Sequence, residues 1–431
     1  MNISEKSFNK IFNFFIIIIA ITMIFRKPCT WLIVSFVIFN LFFFKKLEYS
    51  KKYLPLITII ASPFLLEILL FWNNDSFLLG IKSLEKSISL IIFPLFIIGN
   101  FQRIQFNKIC RVYAISTTYI ILFFFFRFLF FSPELISKYL KRIDLWEMGY
   151  QFTNSFGIHA PALNMHLAFV SIINLYFIIY SFQKKEKIIF SILNIITFAF
   201  SFFLILFVNT RLALFNALFG FGLIFFYEII KKYNFRIVIG TLVVLSISLT
   251  SIFYVYVQKN PYMKEKYYKV TFAHMDKVGK LDEIENPEAE VYNSFVTRLS
   301  IWKSAWELSL NNLPFGVGAS DGKPELFKYY RQTKQKFLAE YDFPTHNQYI
   351  DYFLKFGILG IVIIFMFFYN LAYLGFSTKS PIIISFFFLF FLSNITDDYL
   401  IRFDGIAFCG LWISIFGCYW LQRKRLSVNT G

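Results

Sequence analysis

Apolar runs about twenty residues long recur along this chain, and they constrain its fold more than any other feature. A helix crosses the hydrocarbon core of a bilayer with roughly 20 mostly apolar residues. Only structures that pair their own backbone groups survive there. Twelve such runs are read, at about 8–25, 29–44, 53–72, 77–101, 109–131, 160–182, 188–208, 212–230, 236–257, 349–372, 380–395 and 403–421. The expected fold class is therefore all-α, a polytopic membrane protein with about twelve transmembrane helices. Composition agrees: of 431 residues, 57% are hydrophobic, 62 are Phe and only 16% are charged. A soluble domain carries about 25% charged residues, so an ordinary soluble enzyme and a disordered chain are both excluded.

Orientation follows from Lys and Arg in the short connections. With the N-terminus inside, the inner segments hold nineteen such residues and the outer ones nine. Both termini are then cytoplasmic, and the run at 8–25 reads as a signal anchor, since no small-residue cleavage site follows it. The chain divides into 1–257 with nine helices, an outer hydrophilic loop at 258–348, and 349–431 with three helices and a cytoplasmic tail. The loop is nearly neutral, so the net charge of +17 is chiefly a topology signal. The bilayer is the expected surrounding, and nucleic acid is not an expected partner. Within the loop, Leu299, Trp302, Trp306 and Leu310 at spacings of three and four predict a helix over 297–312. A second is predicted over 324–341, with Pro324 in its first turn. Their apolar faces are expected to lie on the outer membrane surface.

Charged groups inside a membrane are costly and draw attention as functional candidates. Glu67, Arg127, Arg211 and Lys355 fall in the outer halves of spans, and Glu228 at an inner end. His159 and His166 are seven residues apart, which places them on one helix face. Together they suggest one polar cavity near the outer leaflet. Each has a structural alternative. Arg127 reaches toward the interface, Lys355 pairs with Asp351 four residues earlier, Glu67 partners a cation, and the histidines pack as hydrogen-bonded core residues. Asp397 and Asp398 with Asp404 are the nearest thing to a metal-ligand cluster and are read as solvated loop. The four cysteines carry no ligand spacing. No metal and no cofactor are expected.

Two stretches go further. One is Val208-Asn209-Thr210-Arg211-Leu212-Ala213. The other runs from Thr297-Arg298-Leu299 and Trp302 through Leu313-Pro314-Phe315-Gly316-Val317-Gly318 to Thr345-His346-Asn347-Gln348-Tyr349 and Phe356-Gly357-Ile358-Leu359-Gly360. In this order they resemble the bacterial O-antigen ligase and O-antigen polymerase superfamily. The resemblance covers about 205–370. It implies a membrane glycosyltransferase of the GT-C type that transfers a glycan from an undecaprenyl-diphosphate carrier, on the periplasmic side and without metal. The acceptor hydroxyl would belong to lipid A–core, to another glycan or to a protein. By this resemblance Arg211 and Arg298 match the family's arginines and His346 its loop histidine. Lys355 departs from the pattern, where an acid is common.

The chemistry of these side chains agrees with that reading. A diphosphate leaving group gains negative charge, and Arg binds phosphate oxygens while staying protonated. A His is suited to act as general base on an acceptor hydroxyl. Asn347 and Tyr349 are placed to orient the ring or the acceptor. Gly316 and Gly318 suit a tight turn, with the alternative that they bring amides toward an anion. Buried cations would equally serve a transporter of an anionic lipid or solute. Transporters commonly carry internal repeats, and none is found here.

Overall fold

The computed structural model describes residues 3–141, 145–230, 235–259, 272–292 and 294–429. Its helices are α1 (Glu5–Thr22), α2 (Arg26–Phe42), α3 (Leu54–Leu69), α4 (Phe77–Ser87), α5 (Ser89–Ile98), α6 (Phe106–Phe131), α7 (Pro133–Leu140), α8 (Leu145–Asn154), α9 (Ala160–Lys184), α10 (Ile188–Val208), α11 (Arg211–Ile230) and α12 (Phe235–Lys259). The rest are α13 (Pro287–Val291), α14 (Phe295–Asn311), α15 (Gly322–Gln332), α16 (Lys336–Glu340), α17 (Gln348–Thr378), α18 (Pro381–Thr396) and α19 (Phe403–Asn429). Every apolar run read from the sequence is helical, and no strand occurs among the described residues. Among the described residues, seven helices are long and apolar enough to cross a membrane, and Pro381–Thr396 is a shorter apolar one. The chain is an all-α polytopic membrane protein.

Helices α9 and α19 form the centre, each with 83% of its apolar window buried. Small polar side chains stitch α9 to α10 where the backbones come close: Ser171 Oγ donates to Ser201 at 2.8 Å and Thr197 to Asn174 at 3.2 Å. Such contacts substitute for a hydrophobic driving force that lipid does not supply. The run at 77–101 departs from expectation. It breaks at Ile88 into α4 and α5, because its first half carries Lys82, Glu85 and Lys86 and lies as an amphipathic helix.

The hydrophilic loop has a core of its own, built from Val296, Ile301, Ala305, Leu308, Leu326, Tyr330, Phe337 and Phe343. Its helices therefore pack on one another, which corrects the expectation that their apolar faces rest on the membrane. The buried face of α14 is Val296, Ser300, Ile301, Ser304, Ala305 and Leu308. Trp306 and Leu310 stay 48% exposed. Small residues win the interior because α14 approaches α17 closely, and the large ones are left at the rim. The second predicted helix is two, α15 and α16, separated at Lys334, whose φ is +58°.

One splice joins this loop to the bundle. Helix α17 kinks at Gly357, with φ 58° and ψ −139°. Such a break leaves the carbonyls of Leu354 and Lys355 without helical partners. They accept instead from the amides of Val317 (2.9 Å) and Gly318 (3.0 Å), while Ile358 N–H donates to Pro314 O at 3.1 Å. Asn73 Nδ2 donates to Gly316 O at 3.0 Å, and Ser320 N–H to Asn74 Oδ1 at 2.9 Å. Just before the kink, Asp351 holds the buried Lys355, four residues on, at 2.6 Å. The Gly316 amide bonds to Asn312 O, so these amides close the splice and do not face an open anion site. Gly316 has φ +74°, and a Cβ there would meet Leu354 O at 2.5 Å. Gly316→Ala is expected to cost about 2 kcal/mol or more, from left-handed strain plus overpacking. The readout is the thermal midpoint of the detergent-purified protein, and an unchanged midpoint would refute the account of the splice.

Candidate functional site

Helix ends converge beside this splice. Asn209 ends α10 in the left-handed region, φ +57°, a cap that Asn tolerates better than most residues. The turn is pinned from α9, where Asn164 Nδ2 donates to Thr210 Oγ1 at 2.6 Å. Arg211 then opens α11. From the first turns of α14, Arg298 donates to the carbonyl of Thr396, the last residue of α18. A guanidinium there satisfies an orphan carbonyl at the negative end of the helix. Burial lowers the Arg298 pKa, with Asp397 acting in the opposite direction, and the group stays charged.

His346 occupies the end of the loop with φ +46°. For a residue that is not glycine this is a strained backbone, and it persists only when both flanks are fixed. Trp302 Nε1 donates to Thr345 O at 3.1 Å on one side. On the other, Asn347 Oδ1 accepts from the amides of Tyr349 (3.0 Å) and Ile350 (3.1 Å), capping α17. The ring's Nδ1 lies 3.7 Å from Asp397 Oδ1.

Asp397 and Asp398 follow α18 and are 8% and 0% exposed. This corrects their reading as solvated loop: the turn Tyr399–Ile401 folds back under the loop, with Leu400 N–H donating to Gln348 Oε1 at 2.6 Å. Arg402 Nη2 stands 3.5 Å from each carboxylate, and its Nη1 donates to His159 Nδ1 at 3.0 Å. Tyr150 of α8 feels the charges of Arg298, Asp397 and Arg211, so it lies among them.

The two carboxyls titrate in opposite directions. Burial would raise Asp397, but the nearby His346 ring and Arg402 outweigh it and hold this carboxyl well below the usual range. Burial, then the neighbouring Asp397 charge, pushes Asp398 up to about 7. One is ionised and the other keeps its proton, the usual outcome for two adjacent buried acids. Burial and the Arg402 charge push His159 down to about 4, so its ring is neutral and accepts from Arg402. His346, Asp397 and Asp398 offer three ligand atoms within 4.8 Å of one another, a group able to hold a metal ion. Arg402 sits against the same two carboxylates and supplies a positive charge there.

The residues expected to share one polar cavity are therefore divided. His159 joins His346, Arg298 and Arg402. Glu67 and Lys355 line a different cavity, Glu67 accepting from Ser83 and Ser87 at 3.1 Å each. His166 is buried in the core, 3.2 Å from Tyr113 Oη and 4.1 Å from the Phe408 ring. It does not share a face with His159, because α9 begins at Ala160 and His159 precedes it as the cap residue. Arg127 is exposed beside the Phe124 ring. Tyr349 donates its hydroxyl to Phe391 O at 2.9 Å, and Asn347 is a helix cap. Arg402 and Tyr150 were not singled out from the sequence, and Asp397 and Asp398 were noted there only as solvated loop. The available signal was an acidic pair at the end of an apolar run, with an arginine four residues beyond.

Residues 196–365 match a family model described as O-antigen ligase. No curated protein matches the chain. The matched segment contains Arg211, Arg298 and His346, while Asp397, Asp398 and Arg402 lie beyond it. Over that segment the chain is similar to the O-antigen ligase family.

Proposed function

We propose that this protein is a glycosyltransferase of the bacterial inner membrane. It moves a glycan from an undecaprenyl-diphosphate carrier to an acceptor hydroxyl at the periplasmic face, the acceptor being lipid A–core. The observation that carries this reading is the convergence of arginines on a histidine–carboxylate pair where several helices end. The O-antigen ligase match supports it. The polymerase and protein-transferase readings share the chemistry and differ in acceptor.

The acceptor hydroxyl gives its proton to His346. Since Nδ1 faces Asp397, Nε2 is the atom that receives it. The ionised Asp397 stabilises the imidazolium that forms. The freed oxygen attacks the anomeric carbon, the bond to the diphosphate breaks, and a single displacement inverts configuration. Charge gathering on the leaving diphosphate is met by Arg211 and Arg298, cations placed before the reaction begins. Arg402 holds Asp397 and orients the His346 partner.

Arg211→Ala, Arg298→Ala and His346→Ala are each expected to lower transfer by roughly 10²–10⁴-fold. The measurement uses purified protein in liposomes with lipid-linked donor, and wild-type rates in all three would defeat the reading. Product formation without carrier crossing the bilayer removes the transporter alternative, and activity unchanged by a chelator supports chemistry without metal. Deletion of the gene separates acceptors: bare core with polymer left on carrier marks a ligase, core with a single repeat unit a polymerase, and intact lipopolysaccharide with unmodified glycoproteins a protein transferase.

The buried acids generate a prediction of their own. Asp398 is raised from 3.8 to about 7, so the folded state holds a proton that the unfolded chain releases. Its stabilising contribution is full below about 3.8 and is lost as pH rises through about 7. Asp397 is lowered, so its contribution is present above its ordinary value and lost only in stronger acid. Asp398→Asn should therefore flatten the fall in thermal midpoint between pH 4 and 7. A variant that keeps the wild-type slope would show that Asp398 does not titrate there.

A further inference from the structure

A cavity of about 830 Å³ has Leu400 and Ile401 of the Tyr399–Ile401 turn in its lining, and His346 is not among its lining residues. It is lined at one end by Arg26, Lys82, Lys86, Lys323 and Lys355, against the carboxylates of Glu67 and Glu85. The cations come from α2, α4, α15 and α17, so they are assembled by the fold and not by one helix surface. Lys86 feels the repulsion of Lys355, Lys323 and Arg26, and Lys82 and Lys86 are like charges four apart on α4. The side chains of Arg26, Lys82, Lys86 and Lys323 make no ion pair or hydrogen bond among the described residues. Lys355 is held by Asp351, and Glu67 is turned toward Ser83 and Ser87. The result is an unbalanced positive field in a partly enclosed space, which attracts an anion.

The other end of the cavity is apolar. Ile33, Val34, Val37 and Ile38 line it along α2, and Ile92 lines it on α5. From Arg26 to Ile38 the helix rises about 18 Å. Val34 and Ile38 are 43% and 49% exposed, so the furrow opens sideways on a helix that the sequence places in the bilayer. Cations at one end and an apolar furrow running away from them match an amphiphile with an anionic head. We infer that this cavity is a binding site for a membrane lipid whose head group bears phosphate. The site stands independently of the transfer reading. Leu400, Ile401 and Phe403 line it, while Arg402 between them reaches the opposite side toward His159 and Asp397. A lipid seated here lies against the segment that carries the acidic pair.

The test is native mass spectrometry of the detergent-purified full chain titrated with dioleoyl phosphatidic acid, with phosphatidylcholine of the same chains, and with inorganic phosphate. Phosphatidic acid is expected to bind in preference to phosphatidylcholine and to resist displacement by inorganic phosphate. Lys82→Gln with Lys86→Gln should weaken it about thirty-fold and Lys323→Gln about five-fold, the loss of two and one near-surface cations. Lys138→Gln with Lys141→Gln, an equal charge change outside the cavity, should leave it unchanged. These lysines are solvent-accessible and hold no partner, so thermal midpoints should stay at wild type. Equal binding of the two lipids, equal loss in the control pair, or displacement by free phosphate at the lipid's own concentration would each overturn the proposal.

Discussion

A helix that ends near a bilayer leaves amides or carbonyls with no partner, in surroundings where water does not readily supply one. Much of this protein is organised around meeting that need. The kink at Gly357 frees two carbonyls, and the Pro314–Gly318 turn donates to them. The C-terminus of α18 is closed by Arg298. The N-terminus of α17 is closed by Asn347, and α10 ends on a left-handed Asn209. The candidate chemical groups stand at these closures or one residue away. His346 precedes the cap, Arg211 follows the left-handed turn, and Asp397 follows the capped carbonyl. The site is thus built from the places where helix stops.

That arrangement explains what could be read in advance. Helical spans were legible because a run of twenty apolar residues has one stable solution in lipid. Arg211, Arg298 and His346 were legible because they sit in recognisable short motifs. Asp397 and Asp398 were not, because local polarity near a chain break looks like solvated loop. Their burial comes from Gln348, fifty residues away, which captures the Leu400 amide and draws the turn inward. His166 was misassigned for a related reason. A spacing of seven means one face only inside a helix, and His159 lies outside it. The α14 face failed differently. Large apolar side chains mark a buried stripe when packing is loose, but a close approach to α17 selects Ser and Ala instead.

Charge placement shows the same dependence on long-range contacts. Formal charges on α4 read as ordinary outer-loop lysines, and on α15 as part of a nearly neutral loop. Only the fold brings Lys82, Lys86 and Lys323 to the same cavity as Arg26 and Lys355. In the site beside His346 the reverse has happened. Arg402 stands 3.5 Å from each of the two acids, whose charges also act on Arg298, so each carboxylate oxygen that faces Arg402 has a charged partner.

The two regions therefore differ in how their charges are balanced, and the difference bears on how each would treat an anion. Beside His346, the carboxylates already answer Arg402, so under the proposed function an incoming diphosphate would be met by Arg211 and Arg298, with the ionised Asp397 keeping its negative charge off the base. An anion that drifted toward Asp397 would be repelled, which directs a diphosphate to one side of the histidine and leaves the other for a neutral hydroxyl. In the second cavity the cations outnumber the acids, and Lys82, Lys86, Lys323 and Arg26 make no ion pair or hydrogen bond among the described residues. An anion is retained there without a reacting partner. The Tyr399–Phe403 segment separates the two, with Arg402 facing the histidine and its neighbours facing the lipid furrow. On the two proposals, a single short turn would let the helical bundle hold anions for two different purposes without mixing their fields.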